Sequence, residues 1–177
     1  MVAALATIAV DEVTRLSKGE LSDLCDATEA GIRGGGGFGW LTPPPRSVLE
    51  SYWKGVLLVP ERRLFVGRLD GVICGSAQLL KPSRQNEAQA HAATLTTNFV
   101  APFARGHGLA KLLTVTVCDA AKASGYKLLN LDVRETQDAA IALYESLGFV
   151  HWGTHPLYAI VDGAPVAGRH YYKRLDR

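Results

Sequence analysis

Two glycines at the N-terminus of a predicted helix constrain this chain more than any other feature. In the stretch 98-NFVAPFARGHGLAKLL-113, Gly106 and Gly108 stand between a β-like run and a helix-like run, where glycine costs stability relative to alanine. The first N–H groups of a helix lack intrahelical partners and favour an anion, and glycine leaves a phosphate room to approach them. The basic side chains around the turn are Arg105, His107 and Lys111. The stretch therefore predicts an anion-binding turn, with a plain glycine-containing turn as the alternative.

Length and composition indicate one ordinary globular domain. The chain has 177 residues, of which 47% are hydrophobic and 20% are charged, so we expect a single domain over 1–177 with enough apolar side chain for a core. The formal net charge of +2 is too small to attract nucleic acid or a membrane surface by its field alone. Any attraction for an anionic ligand must therefore be local.

The cysteines, the histidines and the N-terminus bear on compartment and metal content. Cys25, Cys74 and Cys118 show neither metal-ligand spacing nor an obvious disulfide framework, which fits a reducing compartment. His151 and His155 are four apart in a strand-like segment, so we expect no metal site. The apolar start, MVAALATIAV, lacks a basic region and a cleavage pattern and is too short to span a bilayer. We interpret it as leading into a first strand and expect a cytoplasmic protein.

Hydrophobic periodicity and turn signals predict the order β-α-α-β-β-β-α-β-α-β-β, a mixed sheet with helices packed on it. Ser17 opens the first helix with a capping-box pattern, and Ser124-Gly125 and Gly148 end the last two helices. Asp70-Gly71 and Asp162-Gly163 are hairpin turn signals. The predicted strands cover 5–14, 62–69, 72–81, 90–100, 127–133, 149–160 and 168–175, and the predicted helices cover 18–33, 45–55, 106–124 and 138–147.

Two common phosphate-binding motifs do not fit the glycine turn. The GK[ST] ending of a Walker loop is missing. The third glycine of a Rossmann fingerprint is misplaced, and the preceding strand is polar rather than fully buried. Its polar residues are Thr94, Thr96, Thr97 and Asn98.

Two sequence blocks carry a family resemblance. Arg105, Gly108 and Ala110, placed after a strand and opening a long amphipathic helix, resemble motif A of the GCN5-related N-acetyltransferases (the GNAT family), Arg/Gln-x-x-Gly-x-Gly/Ala. Downstream, 139-AAIALYESLGF-149 is similar to that family's second signature, Ala-Ile-x-Leu-Tyr-x-x-Leu-Gly-Phe. Two signatures in register are far more specific than either one, and they cover about residues 90–150. The resemblance implies an α/β fold with a mixed, mostly antiparallel central sheet, a splayed strand pair and about four flanking helices.

The resemblance also implies that acetyl-CoA is the cosubstrate and that the glycine turn holds its pyrophosphate. Backbone groups at Phe99 and Val100 would meet the pantetheine arm as an added strand does, and an N–H near Phe99 would polarise the thioester carbonyl. In the family this strand splays from the strand at 128–133, and the thioester lies in the gap. Gln137 stands where the family often has Asn, and its longer side chain can make similar hydrogen bonds. The implied acetyl-CoA contacts are Phe99, Val100, Arg105, Gly106, His107, Gly108, Leu109, Ala110, Lys111, Gln137 and Ala140.

Tyr144 and Asp132 are the candidate catalytic residues. In the family a tyrosine at the place of Tyr144 lies near the sulfur and can protonate the leaving thiolate; the alternative is a core-facing aromatic. The attacking amine must also lose a proton, and many relatives use a Glu on the strand before motif A, where this chain has no carboxylate. We rank Asp132 first as that base because a lone carboxylate in the apolar run NLDV needs a reason, with a structural bond to a backbone N–H or to Arg134 as the alternative. Glu135 and His91 are the other candidates.

Aromatic side chains in two segments bear on the acceptor. The loop 34-GGGGFGWLTPPP-45 carries Phe38 and Trp40 on glycine hinges, which would wall or gate an acceptor pocket; a floppy loop is the alternative. The C-terminal hairpin, 155–175, would supply the opposite wall through Tyr158, Tyr171 and Tyr172. We therefore expect direct acetyl transfer from acetyl-CoA to the primary amine of a small molecule, without a covalent enzyme intermediate.

Three other functions fit the same motifs. In the first, the enzyme acetylates a protein N-terminus or lysine. In the second, the chain is a non-catalytic sensor that binds acyl-CoA. In the third, the anion site belongs to a nucleotide-binding protein. A homodimer that uses the C-terminal hairpin is a further expectation.

Overall fold

The computed structural model describes residues 6–36 and 38–176, so residues 1–5, which include the start of the predicted first strand, and Gly37 of the predicted loop lie outside the described residues. Within the described residues the helices and strands follow the predicted order. The strands are β1 (Ile8–Val13), β2 (Arg62–Leu69), β3 (Val72–Leu80), β4 (Ala92–Val100), β5 (Leu128–Arg134), β6 (Val150–Val161) and β7 (Ala164–Arg174), and the helices are α1 (Lys18–Arg33), α2 (Arg46–Leu58), α3 (Leu109–Ala123) and α4 (Asp138–Ser146).

Helix α1 begins at the predicted capping box. The Glu20 N–H donates to Ser17 Oγ at 3.2 Å, and the Ser17 N–H donates to Glu20 Oε2 at 2.9 Å. Arg68 Nη2 lies 2.7 Å from Glu20 Oε1. The backbone N–H of Ser17 and then the Arg68 guanidinium lower the pKa of Glu20 to about 2. These bonds fix the start of α1 against β2.

Several predicted boundaries were wrong. Helix α3 begins at Leu109 rather than at 106, because Gly106 and Gly108 before it have left-handed backbone. Helix α2 continues three residues past Gly55 to Leu58, because Val56 is buried and its burial offsets the cost of a glycine in the helix. Strand β7 begins at Ala164 rather than at 168, since Ala164 pairs with Val161 directly across the Asp162-Gly163 turn. Both turn residues have positive φ, +50° and +78°, as a tight two-residue hairpin turn requires.

Hydrogen bonds order the strands β1-β2-β3-β4-β5-β7-β6. The β1–β2, β5–β7 and β6–β7 pairs are antiparallel, and the β4–β5 pair is parallel. The parallel ladder joins Ala92–Thr94 to Leu128–Asn130, near the start of both strands, which run on to Val100 and Arg134. The mixed, mostly antiparallel sheet with four helices is thus confirmed, and the short ladder is what a splayed pair requires.

Contacts divide the chain into two compact units, and the single domain over 1–177 stays a prediction. The first unit comprises the chain up to Leu79 together with Thr97–Val117, and the second comprises Leu80–Thr96 together with the chain from Cys118.

The first unit is built around the fully buried Trp53. Its indole N–H donates to Thr28 Oγ1 at 3.0 Å, and that hydroxyl donates to the Leu24 carbonyl at 2.6 Å. The Trp53 indole N–H and the Thr28 hydroxyl therefore both have partners, as burial requires. The apolar residues of this core include Leu24, Ile32, Phe38, Leu49, Trp53, Val66, Ile73 and Phe99.

In the second unit, side chains of β7 bond to α4 and to the residue that follows it. The hydroxyl of the buried Tyr171 donates to Glu145 Oε1 at 2.9 Å. Lys173 Nζ donates to the Leu147 carbonyl at 2.7 Å and lies 5.7 Å from the centroid of the Phe149 ring. These contacts fix the orientation of α4, the helix that carries Tyr144.

Two global features are relevant to function. No helix in the described part of the chain is long and apolar enough to cross a membrane. Among the same residues, no three His, Cys, Asp or Glu side chains come together as a possible metal site.

Candidate active site

The predicted anion-binding turn has a left-handed backbone that leads into α3. Gly106 and Gly108 have φ values of +86° and +81°, which residues other than glycine rarely adopt. A Cβ built on Gly106 would have no atom within 4 Å, so backbone conformation rather than lack of space selects glycine there. The Gly108 carbonyl accepts the first helical hydrogen bond, from the Leu112 N–H at 3.1 Å. The N–H groups of residues 109–111 therefore lie in the first turn of α3, where an anion is favoured.

The basic side chains of the turn lie at the surface. Arg105, His107 and Lys111 are all exposed. Arg105 Nε also donates a long hydrogen bond, 3.4 Å, to the carbonyl of Val100, and His107 Nδ1 lies 3.3 Å from the Ala104 carbonyl oxygen. Positive charge is therefore available to an anion at the turn, and Arg105 links the turn to the end of β4.

The end of β4 is held tightly against β3. The Ala101 N–H donates to the Cys74 carbonyl at 2.8 Å. A Cβ added to Gly75 would lie 2.5 Å from the carbonyl oxygen of Phe99, so only glycine permits this approach. Just upstream, Thr97 has φ +50°, which is rare for a β-branched residue and indicates local strain.

The side chain of Phe99 is enclosed by α1 and by the loop after it. A Cβ added to Gly31 would lie 3.0 Å from Phe99 Cδ2, and the Phe38 ring lies edge-on to the Phe99 ring with centroids 4.7 Å apart. Phe38 is only 8% exposed. This burial agrees with Phe38 as a wall, and whether it walls or gates an acceptor pocket stays a prediction. Trp40 is half-buried and lies 5.2 Å from the Tyr52 ring centroid.

A short polar chain connects β4 to the first turn of α3. Asn98 Nδ2 donates to Thr114 Oγ1 at 2.9 Å, and that hydroxyl donates to the Ala110 carbonyl at 2.8 Å. Thr114 is fully buried, so these bonds satisfy a group that burial would otherwise penalise. The strand end and the glycine turn are thereby held in one fixed arrangement.

In the second unit, α4 carries the second sequence block. Tyr144 is 6% exposed, and its ring lies 5.7 Å from the Phe149 ring in an edge-on arrangement. The carbonyl of Gln137 accepts the first helical bond, from the Ile141 N–H at 3.0 Å, and Ala140 is half-buried one turn before Tyr144. Tyr144 thus packs as a core residue.

Asp132 is not buried, which corrects the premise on which we ranked it as a base. Its carboxylate is exposed at the solvent-facing end of β5 and accepts a hydrogen bond from the Tyr158 hydroxyl. Burial and then this carboxylate raise the pKa of Tyr158. His170 is the direct cross-strand partner of Asp132 on β7. Asp132 therefore accepts a bond from a tyrosine hydroxyl, a partner that the sequence did not suggest.

Comparison with sequence families decides the assignment. Residues 26–149 match the model of the Acetyltransferase (GNAT) family, which is more than half of the chain. The chain belongs to the GNAT family. A GNAT acetyltransferase uses acetyl-CoA as its cosubstrate, so the chain is an acyl-transferring enzyme and the predicted cosubstrate is confirmed.

Individual relatives agree with this GNAT assignment. The chain is 65% identical over 133 residues to the uncharacterized N-acetyltransferase of the hisH-hisA intergenic region of Azospirillum brasilense, covering 75% of this chain and 79% of that protein. Its fold is similar to an N-acetyltransferase from Staphylococcus aureus Mu50, with a TM-score of 0.81, 19% identity and coverage of 96% and 99% of the two chains. It is also similar to yncA of Salmonella typhimurium, solved with acetyl-CoA, with a TM-score of 0.77, 16% identity and coverage of 96% and 95%.

The predicted site residues fall into two groups. In the first unit of the GNAT chain, the β4 end at Phe99 and Val100 and the turn at 105–111 are joined through Arg105 and Asn98. In the second unit, Gln137, Ala140 and Tyr144 share α4. The two remaining base candidates stay predictions: Glu135 pairs with Arg169 at 3.0 Å, and His91 is exposed.

Sequence reasoning missed the residues that shape β4. Gly31 and Gly75 both permit close approach to Phe99, and a glycine inside a strand such as β3 is a recognised signal of such an approach. Thr97 gave no signal in the sequence, because threonine is β-branched and such residues favour ordinary strand geometry.

The three cysteines of this GNAT protein are free and buried. Burial raises the pKa of the thiols of Cys25, Cys74 and Cys118. A thiol that resists ionisation is a poor nucleophile, so their environment favours structural roles.

Proposed function

We propose that this enzyme transfers the acetyl group of acetyl-CoA directly to the primary amine of a small molecule. The observation that carries the proposal is the left-handed turn at Gly106 and Gly108. It leads into the first turn of α3 and is joined through Arg105 to the end of β4.

The residues present fit the pyrophosphate of the cosubstrate. The space around Gly106 is open, the N–H groups of residues 109–111 lie in the first turn of α3, and the side chains of Arg105 and Lys111 are exposed. Backbone N–H groups, a helix N-terminus and two cations are together a strong phosphate site. Phe99 and Val100 then meet the pantetheine arm through their backbone.

In the proposed reaction, the amine nitrogen attacks the thioester carbonyl carbon and the carbon–sulfur bond breaks. A backbone N–H near Phe99 polarises the carbonyl. Tyr144 gives its proton to the departing thiolate, a transfer that a phenol pKa near ~10 and a thiol pKa near ~8.5 make feasible. The amide product and CoA leave, and the phenolate regains a proton from solvent.

Asp132 stays our prediction for the group that takes the amine proton. Its exposure keeps the carboxylate accessible to an acceptor. If it is the base, Asp132→Asn lowers kcat by about 10²- to 10⁴-fold, the usual contribution of general base catalysis.

The aromatic wall favours a small acceptor over a peptide. Phe38 is buried against Phe99, and Trp40 continues the aromatic surface onto Tyr52. A fixed aromatic wall of this kind suits a compact ligand, whereas a peptide requires an open groove.

A thiol-release assay tests the acceptor class. Acetyl-CoA is held constant, and small primary amines are compared with peptides that carry a free N-terminus or a lysine. We expect release of CoA with amines and little with peptides at equal concentration. Turnover with peptides alone would show that the acceptor is a protein, and tight acetyl-CoA binding without any turnover would indicate an acyl-CoA sensor.

A further inference from the structure

Strand β6 has two irregular sites in its pairing with β7. Between His151 and Gly153 the register shifts, so that Trp152 has no pairing partner on β7. Between His155 and Ala159 it shifts again, and residues 156–158 stand opposite Ala167. Pro156, which cannot donate to a ladder, lies in the second site. Such bulges redirect side chains and are common beside functional sites.

At each irregular site of β6 an aromatic ring lies next to the same β7 residue, His170. The Trp152 ring centroid lies 5.6 Å from that of His170, and the Tyr158 ring lies 6.0 Å from it, edge-on. The Tyr158 ring crosses β7 at Gly168, where any Cβ would overlap it. Its hydroxyl then reaches the Asp132 carboxylate. We call Asp132, Trp152, Tyr158 and His170 the hairpin cluster.

The hairpin cluster is accessible and chemically specific. Trp152 is 64% exposed and Tyr158 is 36% exposed, and the Asp132 side chain is also exposed. Aromatic faces beside a carboxylate are the combination that recognises organic cations. The charge of Arg134 acts on the Tyr158 hydroxyl in the direction of ionisation, but burial and the Asp132 carboxylate outweigh it, and the pKa of Tyr158 is raised.

We propose that the hairpin cluster binds the protonated amine of the acceptor, with the Asp132 carboxylate as its counter-charge and Trp152 and Tyr158 as its aromatic walls. The identity of the ligand as the acceptor rests on the proposed function. The binding of an organic ammonium ion at this place does not, and it can be measured without acetyl-CoA.

The test follows the indole N–H resonance of Trp152 in heteronuclear NMR spectra of the full chain. The chain has three tryptophans, and Trp152→Phe assigns the resonance by its disappearance. The probes are n-butylammonium and n-butanol, which share size and shape but differ in charge. We expect a saturable shift with the ammonium ion and none with the alcohol.

Two variants locate the counter-charge. Asp132→Asn removes the charge and leaves a hydrogen-bond acceptor for Tyr158, and we expect n-butylammonium binding to weaken about tenfold, as loss of a charge-assisted contact predicts. Asp119→Asn, which removes an exposed carboxylate on α3, should leave the binding unchanged. Equal binding by wild type and Asp132→Asn, or equal shifts with n-butanol, would overturn the proposal.

Two further outcomes distinguish ammonium binding from a contact between two copies of the chain and from failure of the proposed function. If the Trp152 resonance responds to protein concentration and not to the ammonium ion, the exposed face of β6 is a contact between two copies and the proposal is wrong. Stabilisation by acetyl-CoA is measured separately by thermal unfolding. Absence of that stabilisation contradicts the proposed function, whereas ammonium binding at the hairpin cluster would still stand.

Discussion

Tyr144 is buried in the core and is also our proposed acid, so its packing and its chemistry must be tested separately. Its ring is enclosed in the second unit beside Phe149, so the apolar part of the residue contributes to the core. Phenylalanine keeps that packing and removes only the hydroxyl. The two contributions can therefore be separated by one substitution.

We expect Tyr144→Phe to lower kcat by about 100-fold, because general acid catalysis of this kind contributes about 10²- to 10⁴-fold. The midpoint of thermal unfolding should change little. The rate is measured by thiol release at saturating acetyl-CoA, with Tyr126→Phe as a control in the same unit. Full activity of Tyr144→Phe would show that the residue is only a core aromatic.

Glu20 is a second case in which a single residue carries a measurable effect. The Ser17 N–H and the Arg68 guanidinium lower its pKa to about 2 from an ordinary value of 4.5. A carboxyl whose pKa is lower in the folded state stabilises the fold above its unfolded pKa. That contribution is lost as the pH falls through the folded pKa.

Glu20→Gln should therefore reduce the free energy of unfolding at neutral pH by about 1–2 kcal/mol, the size of a lost cap and charged hydrogen bond. The difference from wild type should close as the pH is lowered from about 4.5 toward 2. Denaturant unfolding from pH 7 down to about pH 2 measures the loss at neutral pH and its disappearance at low pH. Glu29→Gln, which breaks an exposed pair with Arg33, is the control and should cost less than about 0.5 kcal/mol. A pH-independent difference for Glu20→Gln would contradict the assigned pKa.

At the scale of elements, strand β4 is the part of the structure most closely fitted to its surroundings. Gly75 admits the Phe99 carbonyl on one side, and Gly31 and Phe38 enclose the Phe99 ring. The strained φ of Thr97 lies just before this segment. Such precise placement is expected where backbone groups must meet a cosubstrate.

Gly75→Ala should displace the β4 end, since its Cβ would lie 2.5 Å from the Phe99 carbonyl oxygen. We expect a stability loss of about 1–3 kcal/mol from overpacking and a decrease in kcat/KM of about 10- to 100-fold from misplacement. Gly55→Ala is the matched control: it lies in helix α2 with open space around it, so it should stabilise by about 0.5–1 kcal/mol. Wild-type activity in Gly75→Ala would show that the position of β4 does not limit the reaction.

The whole molecule shows which parts of a site can be predicted from sequence. The glycine turn was predictable because residues such as Gly106 mark left-handed backbone directly. The second block on α4 was predictable because its helical spacing is local. The bond between Asp132 and Tyr158 was not, because it joins residues 26 apart in the sequence and depends on two irregular sites in β6. The burial of Phe38 was not predictable either, because a glycine-rich loop has no hydrophobic periodicity to indicate which side chains are buried.

The central claim is that the glycine turn and β4 belong to an acetyl-CoA site, and thermal unfolding with added ligands tests it most directly. Acetyl-CoA, CoA, ATP and NADH are compared at equal concentration. We predict that acetyl-CoA and CoA alone stabilise the protein, by roughly 2.7 kcal/mol at about 100-fold over Kd. No stabilisation by either CoA compound, or equal stabilisation by ATP, would contradict the claim.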